Sequence, residues 1–178
     1  MSLTQVFLGL GSNVERETHL RAGLDALAGF LRGVKCSPVF ESQPVGIKSG
    51  PFFNLVVSAE TDLSLPELSR RLKLIEADNG RYAQDRKGLP LDIDVLFYGD
   101  LTGNFDGLIL RRAEILNNAL VLWPLSLMAT ERVHPGTGKT LGQMWADAQI
   151  DQVLVPAAFE WRGVPLTPAN MLPPCPLL

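Results

Sequence analysis

Little in this 178-residue chain marks it for a membrane, an oxidising compartment or a polyanion. It has two cysteines, Cys36 and Cys175, too few for a disulfide framework and without metal-ligand spacing, so a reducing cytosol and a cytoplasmic location are expected. No uninterrupted apolar run approaches membrane-spanning length, and Met1-Ser2-Leu3-Thr4-Gln5-Val6-Phe7 lacks the charged start and long apolar core of a signal peptide. Lys/Arg blocks never exceed two residues and the net charge is −3, which argues against nucleic acid or an anionic membrane as partner. Any phosphate binding must therefore be local. The two histidines, His19 and His134, stand far apart without a Cys or acidic neighbour at ligand spacing, and read as solvated or capping groups. No Ser-His-Asp or Cys-His arrangement is visible. What is present, 46% hydrophobic and 20% charged residues, suits one domain with a real core. The expected division is a single domain over residues 1–160 and a proline-rich tail over 161–178, extended or poorly ordered.

Val6 to Leu10 reads as a short strand broken by Gly9 and Gly11, followed by Ser12-Asn13 as a turn or cap that opens a helix. Leu20, Leu24, Leu27 and Leu31 give that helix its apolar stripe, and Gly33 stops it. Val34 to Gln43 and Phe53 to Glu60 read as strands. Ser64-Leu65-Pro66-Glu67 is a capping box, Leu68, Leu72 and Ile75 form the buried stripe of a second helix, and Asn79-Gly80 ends it. Leu91 to Gly99 is a further strand. Strand, helix, strand, strand, helix, strand is the split βαβ order of a ferredoxin-like α/β sandwich, a mostly antiparallel sheet with helices packed on it. A short strand near Leu108 to Leu110, an apolar helix around Leu120 to Met128 and a small helix near Leu141 to Ala146 follow.

The strand Leu91-Asp92-Ile93-Asp94-Val95-Leu96 carries two carboxylates one residue apart, and strand alternation puts Asp92 and Asp94 on one face. Like charges that close repel, and a hard divalent ion with a phosphate substrate is one arrangement that relieves them. A solvated strand end is the other. Asn54, a polar amide beside Phe52-Phe53 in an apolar strand, offers a donor and an acceptor that suit a heterocycle edge or, equally, loop backbone. Arg81, Arg86 and Lys87 lie in the loop before the aspartate strand, where they either embrace a polyphosphate or decorate the surface; Arg111-Arg112 present the same choice. Gly136-Thr137-Gly138-Lys139-Thr140 only imitates the end of a P-loop, because Val133 stands where a glycine is required. Gly9-Leu10-Gly11 fails the dinucleotide fingerprint at Val14 and reads as a tight strand-to-helix turn.

In their order and spacing, several segments resemble the 6-hydroxymethyl-7,8-dihydropterin pyrophosphokinase family. They are Leu8-Gly9-Leu10-Gly11-Ser12-Asn13, Phe40-Glu41-Ser42-Gln43-Pro44-Val45-Gly46, Phe52-Phe53-Asn54, Ile75-Glu76 with Gly80-Arg81, Leu91 to Gly99, Leu122-Trp123-Pro124-Leu125, and His134-Pro135 with Gly138-Lys139-Thr140-Leu141. The resemblance implies a ferredoxin-like fold and Mg-ATP-dependent transfer of pyrophosphate to the hydroxymethyl group of the pterin in folate biosynthesis, with release of AMP. The alternative is a non-catalytic or altered-specificity pterin-binding homologue of the same fold. By resemblance, Asp92 and Asp94 hold two Mg²⁺ ions and act with Arg81 in catalysis. Ser42, Pro44, Val45, Phe52 and Asn54 bind the pterin alcohol, while Glu76, Arg81, Arg86, Lys87, Arg111 and Arg112 serve ATP. The chain departs from the family in a shorter loop between Arg81 and Asp92, in Arg111-Arg112, and in Asn118 and Leu120, which stand where the family has an arginine and an aromatic residue. A monomer or weak homo-oligomer is expected.

Overall fold

Three long strands with alternating apolar positions lie side by side at the centre of the molecule and decide where everything else sits. The structure is a computed structural model that describes residues 2–42, 50–85, 87–101, 103–105, 108–110, 119–134, 137–150 and 154–172, with backbone alone for 103–105 and 108–109. The first half holds β1 (Thr4–Ser12), α1 (Arg16–Ala28), β2 (Arg32–Cys36), β3 (Val39–Ser42), β4 (Phe52–Thr61), α2 (Leu65–Asp78) and β5 (Asp92–Tyr98). After these come a hairpin of β6 (Gly103–Phe105) and β7 (Leu108–Leu110), the helices α3 (Ala119–Met128) and α4 (Leu141–Asp147), β8 (Leu154–Ala157), and a hairpin of β9 (Glu160–Trp161) and β10 (Val164–Pro165). The main sheet runs β5-β1-β4-β3-β8, with β2 also paired to β4, and its pairings are antiparallel. This is the ferredoxin-like α/β sandwich that the element order predicts.

The strand expected over Val34 to Gln43 is split into β2 and β3 by Pro38, which has no N–H to give the ladder. Ser37 bridges the gap: its N–H donates to the Val56 carbonyl and its hydroxyl accepts from the Val56 N–H, both at 2.8 Å. The first helix differs from expectation at both ends. It begins at Arg16 after Glu15, which takes a left-handed φ of 43°, and it is capped by Gly29 rather than stopped by Gly33. Asn13 is instead paired with the loop before β5: its N–H donates to Leu89 O (3.1 Å) and its Oδ1 accepts from Leu89 N–H (2.6 Å). At α2 the Ser64 hydroxyl accepts the Glu67 N–H at 3.4 Å, and Gly80 takes the φ of 84° that the helix end requires.

One face of the sheet is buried by α1 and α2. Val6, Leu8 and Leu10 from β1, Leu55 and Val57 from β4, and Ile93 and Val95 from β5 meet Leu20, Leu24, Leu27, Leu68 and Leu72 there. Each fully buried side chain of this size stabilises the fold by roughly 1.5–3 kcal/mol. On the opposite face Phe7, Val56, Leu96 and Phe97 pack under Leu122, Leu125, Leu141 and Met144 of α3 and α4. Leu96 and Phe97 both reach that cluster because the β1–β5 register shifts between Phe7 and Leu8, leaving Leu96 as the extra residue of a bulge. These two helices cover only part of the face. The uncovered part carries Gly9, Gly11, Phe52, Asn54, Asp92 and Asp94.

Residues after 160 do not simply trail away as an extended segment. Trp161 Nε1 and Arg162 Nε both donate to Asp25 Oδ1 at 3.0 Å, and Arg21 Nε donates to Glu160 O at 2.7 Å, so the β9–β10 hairpin lies along α1. Thr167, 2% exposed, accepts the Val39 N–H at 2.9 Å and donates to Ala157 O at 2.6 Å. Proline spacing alone does not reveal these polar anchors; Pro173, Pro174, Cys175 and Pro176 lie outside the described residues. His134 also differs from expectation, being buried at 3% exposure in the turn that leads to α4. His19 joins the two helices of the first face, its Nδ1 lying 3.0 Å from Asn79 Oδ1. Among the described residues no helix is long and apolar enough to cross a membrane.

Candidate active site

Antiparallel pairing places Gly11 between Asn54 on β4 and Asp92 on β5, and Gly9 between Val56 and Asp94. Alternation along the strands then turns Asp92, Asp94 and Asn54 to one face, with the two glycines as the floor between them. Gly9 and Gly11 therefore do not form the tight turn that their spacing predicts; both lie within β1, and their function is to lack side chains. A Cβ on Gly11 would stand 2.6 Å from Asn54 Oδ1, closer than any relaxed contact permits. A cavity of about 230 Å³ opens above this floor, lined among others by Phe52, Asn54, Asp92, Asp94, Leu89 and Leu120. Leu120 and Val121 come from the first turn of α3, so the helix that covers the aromatic half of the face also walls the polar half.

Asn54 Nδ2 is buried and has no hydrogen-bond partner among the described residues. An unmet buried donor costs about 1–3 kcal/mol, which an acceptor on a planar ligand would recover. Phe52 lines the same cavity and offers a ring face. Phe40, opposite Asn54 across the β3–β4 ladder, packs on Trp123 at 4.6 Å between ring centroids, and Trp123 stacks on Trp145 at 5.3 Å. The amide is thus held beside a wall of aromatic rings that orders α3 and α4 against the sheet.

At the other edge, Glu76 is 5% exposed and both of its carboxylate oxygens accept hydrogen bonds. Oε2 accepts from Ile93 N–H and from Arg81, each at 2.9 Å, and Oε1 accepts from the Tyr82 hydroxyl at 2.8 Å. Arg81 also donates to Asp92 Oδ1 at 2.6 Å and to Leu91 O at 3.2 Å. The group ties the end of α2 to the start of the aspartate strand. Burial opposes the charge on Arg81, but the bond to Asp92 and the charge of Glu76 outweigh it and raise its pKa. Burial, then the bond to Glu76, pushes the Tyr82 hydroxyl up as well.

The donor set is two hard carboxylates, and among the described residues no group of three His, Cys, Asp or Glu comes together. That does not fit an all-protein metal cage. It does fit Mg²⁺, which is bound through one or two carboxylates while water and substrate phosphates complete its shell.

The cavity lining includes the predicted Asp92, Asp94, Phe52 and Asn54. Arg81 contacts both Glu76 and Asp92, but neither Glu76 nor Arg81 lines it. Ser42 ends β3 opposite Phe52, and Lys87 is exposed in the loop before β5. Pro44, Val45, Arg86, Arg111 and Arg112 lie outside the described residues. Sequence reasoning missed the role of Gly9 and Gly11 and the wall formed by Leu89 and Val121. Two glycines at alternate positions of an apolar strand were the available signal for the first.

Comparison with known proteins agrees with this geometry. Residues 7–130 match the family described as 7,8-dihydro-6-hydroxymethylpterin-pyrophosphokinase (HPPK). The chain is 32% identical over 136 residues to the 2-amino-4-hydroxy-6-hydroxymethyldihydropteridine pyrophosphokinase of Aquifex aeolicus, covering 75% of this chain and 85% of the relative. It is 32% identical over 149 residues to that of Pseudomonas aeruginosa, covering 81% and 91%. Against the folic acid synthesis protein fol1 of Pneumocystis carinii the identity is 34% over 142 residues, but the chain spans only 19% of that longer protein. In structure it superposes on Plasmodium falciparum HPPK-DHPS with a TM-score of 0.66 at 14% identity, covering 82% of this chain and 42% of the other, a likeness of fold. On the match over residues 7–130 and the two bacterial relatives, the chain belongs to the 7,8-dihydro-6-hydroxymethylpterin-pyrophosphokinase family.

Proposed function

We propose that this chain transfers pyrophosphate from ATP to the hydroxymethyl group of 6-hydroxymethyl-7,8-dihydropterin, releasing AMP. The observation that carries the reading is the convergence of Asn54, Phe52, Asp92 and Asp94 on one cavity over a glycine floor. A flat, amide-rich heterocycle suits a ring face and an unmet amide donor, and a polyphosphate suits carboxylates that share a divalent ion. Two Mg²⁺ held by Asp92 and Asp94 would supply charge neutralisation on the phosphates and a template for the transfer.

The chain's own work is positioning. Phe52 and Asn54 fix the pterin so that its hydroxyl lies on the aspartate side of the cavity, and Gly11 lets the ring settle between Asn54 and Asp92. As the hydroxyl oxygen attacks the β-phosphorus, the bond to the AMP oxygen breaks and AMP leaves, while Asp92, beside the hydroxyl, would orient it and the hydroxyl proton would pass to solvent. Arg81, bonded to both Asp92 and Glu76, orients the Asp92 carboxylate at the edge of the site. Lys87, and among the residues outside the description Arg86, Arg111 and Arg112, are the further cations assigned to the ATP phosphates.

The test is AMP release from Mg-ATP with the pterin alcohol, with Asp94→Ala as control. Turnover in the parent that falls by at least about 10²–10³-fold in the variant is the expected result. A folded parent that makes no AMP overturns the reading. The engagement of Arg81 with Asp92 and Glu76 supports a second reading, a pterin-binding homologue without transfer, which predicts pterin binding but no Mg-ATP binding in calorimetry.

A further inference from the structure

Arg16, the first residue of α1, is outside the cavity and was given no role by its position in the sequence. Its Nη1 donates to Glu41 Oε2 at 2.8 Å and to the Pro51 carbonyl at 3.0 Å, while its guanidinium carbon lies 3.6 Å from the centroid of the Phe53 ring. Those three partners are not scattered. Glu41 is next to Ser42 at the end of β3, Pro51 precedes Phe52 at the start of β4, and Phe53 stands between Phe52 and Asn54. One nitrogen thus joins the last turn of ladder on β3 to the first residue leading into β4, where Ser42 is opposite Phe52 and Glu41 opposite Phe53.

The anchor is held from behind. The Phe53 ring meets Phe159 edge-on at 6.3 Å, and Phe159, 5% exposed, lies under the Arg21 guanidinium at 5.0 Å. Alternation puts Phe53 on the core face, so Phe52 and Asn54 on either side of it must point into the cavity. Fixing the ring of Phe53 and the carbonyl of Pro51 therefore fixes the aim of the two side chains expected to read the heterocycle. We infer that Arg16 is a positioning residue for the pterin: a guanidinium clamp across the β3 and β4 stems that sets Ser42, Phe52 and Asn54 for substrate. The inference rests on the pterin reading above and adds to it a residue that never touches the ligand.

The clamp predicts a selective defect, because the aspartate strand is on the far side of β1 from Arg16's partners. In the full chain, Arg16→Met is expected to weaken binding of 6-hydroxymethylpterin, read by its fluorescence, by about tenfold while Mg-ATP binding by calorimetry stays within about twofold. Glu41→Gln keeps an acceptor for Arg16 and should bind the pterin within about threefold of the parent, whereas Glu41→Ala should follow Arg16→Met. Thermal unfolding of each variant separates this from loss of the fold, since a merely structural residue would lower both affinities together. Unchanged pterin affinity in Arg16→Met, or equal losses for pterin and Mg-ATP, overturns the clamp. A parent that binds no pterin overturns the pterin reading itself, and the clamp's role with it.

Discussion

The two faces of one sheet, built from the same strands, have opposite chemistry. Towards α1 and α2, Leu8, Leu10, Leu55, Val57, Ile93 and Val95 form a continuous apolar layer. Towards α3 and α4 the same strands present Phe7, Val56, Leu96 and Phe97 at one end, and Gly9, Gly11, Asn54, Asp92 and Asp94 at the other. The first face can be completed by burial alone. The second is divided, and its polar half gives up apolar contact and sets two carboxylates on one strand face. Such an arrangement is retained where a ligand supplies what the fold lacks, so stability and function are separated by a single strand's thickness.

That separation can be broken most severely from the apolar side. Leu24→Ala, which empties a fully buried position on the first face, is expected to cost about 2–5 kcal/mol of unfolding free energy by denaturant titration. Asp94→Ala should change stability by less than the leucine variant does, while removing transfer activity. If the aspartate variant were as unstable as the leucine one, the two faces would not be separable in this way.

A smaller effect should sharpen the contrast on the site's floor. Gly11→Ala places a methyl against Asn54 Oδ1 and is expected to cost about 1–3 kcal/mol in overpacking, seen as weaker pterin binding rather than as lost Mg-ATP affinity. Gly9→Ala, whose Cβ would have Leu96 side-chain atoms as its nearest neighbours at 3.5 Å or more, should be milder in the same assay.

A further test lies at Cys36 on β2, which does not line the cavity. Burial pushes the Cys36 thiol from its usual 9.0 up to about 11, because the thiolate is poorly solvated there. The folded state thus favours the protonated thiol, so this stabilisation is complete below pH 9 and is lost as pH rises through about 11. Unfolding titrations from pH 8 to 11 should show a decline on the order of 2 kcal/mol that Cys36→Ala removes. Pterin affinity over the same range should show no component that depends on Cys36.

Much of this was legible before any coordinates. Leucine spacing located α1 and α2, the Ser64–Glu67 pattern and Asn79-Gly80 bounded the second helix, and alternation in the aspartate strand put Asp92 and Asp94 on one face. These are local rules that a few neighbouring residues satisfy by themselves. The start of α1 was not legible, because Asn13 is committed to Leu89, 76 residues on, and Glu15 at a left-handed φ takes the capping position. The hairpin after residue 160 was hidden for the same reason: Asp25 and Arg21 hold it from the far side of the sequence.

The sequence by itself determined the order of elements, the apolar face of each helix, and the pair of carboxylates that had to share a strand face. Periodicity is a property of one segment, and covalent geometry enforces it. Only the tertiary structure decided that Gly9 and Gly11 would lie between Asn54 and the aspartates, that Glu76 would be spent on Arg81, Tyr82 and Ile93, and that Arg16 would join two stems of another layer. Those are pairings across strands and between layers, fixed by register and by the need of each buried donor and acceptor for a partner, and no single segment of the chain contains them.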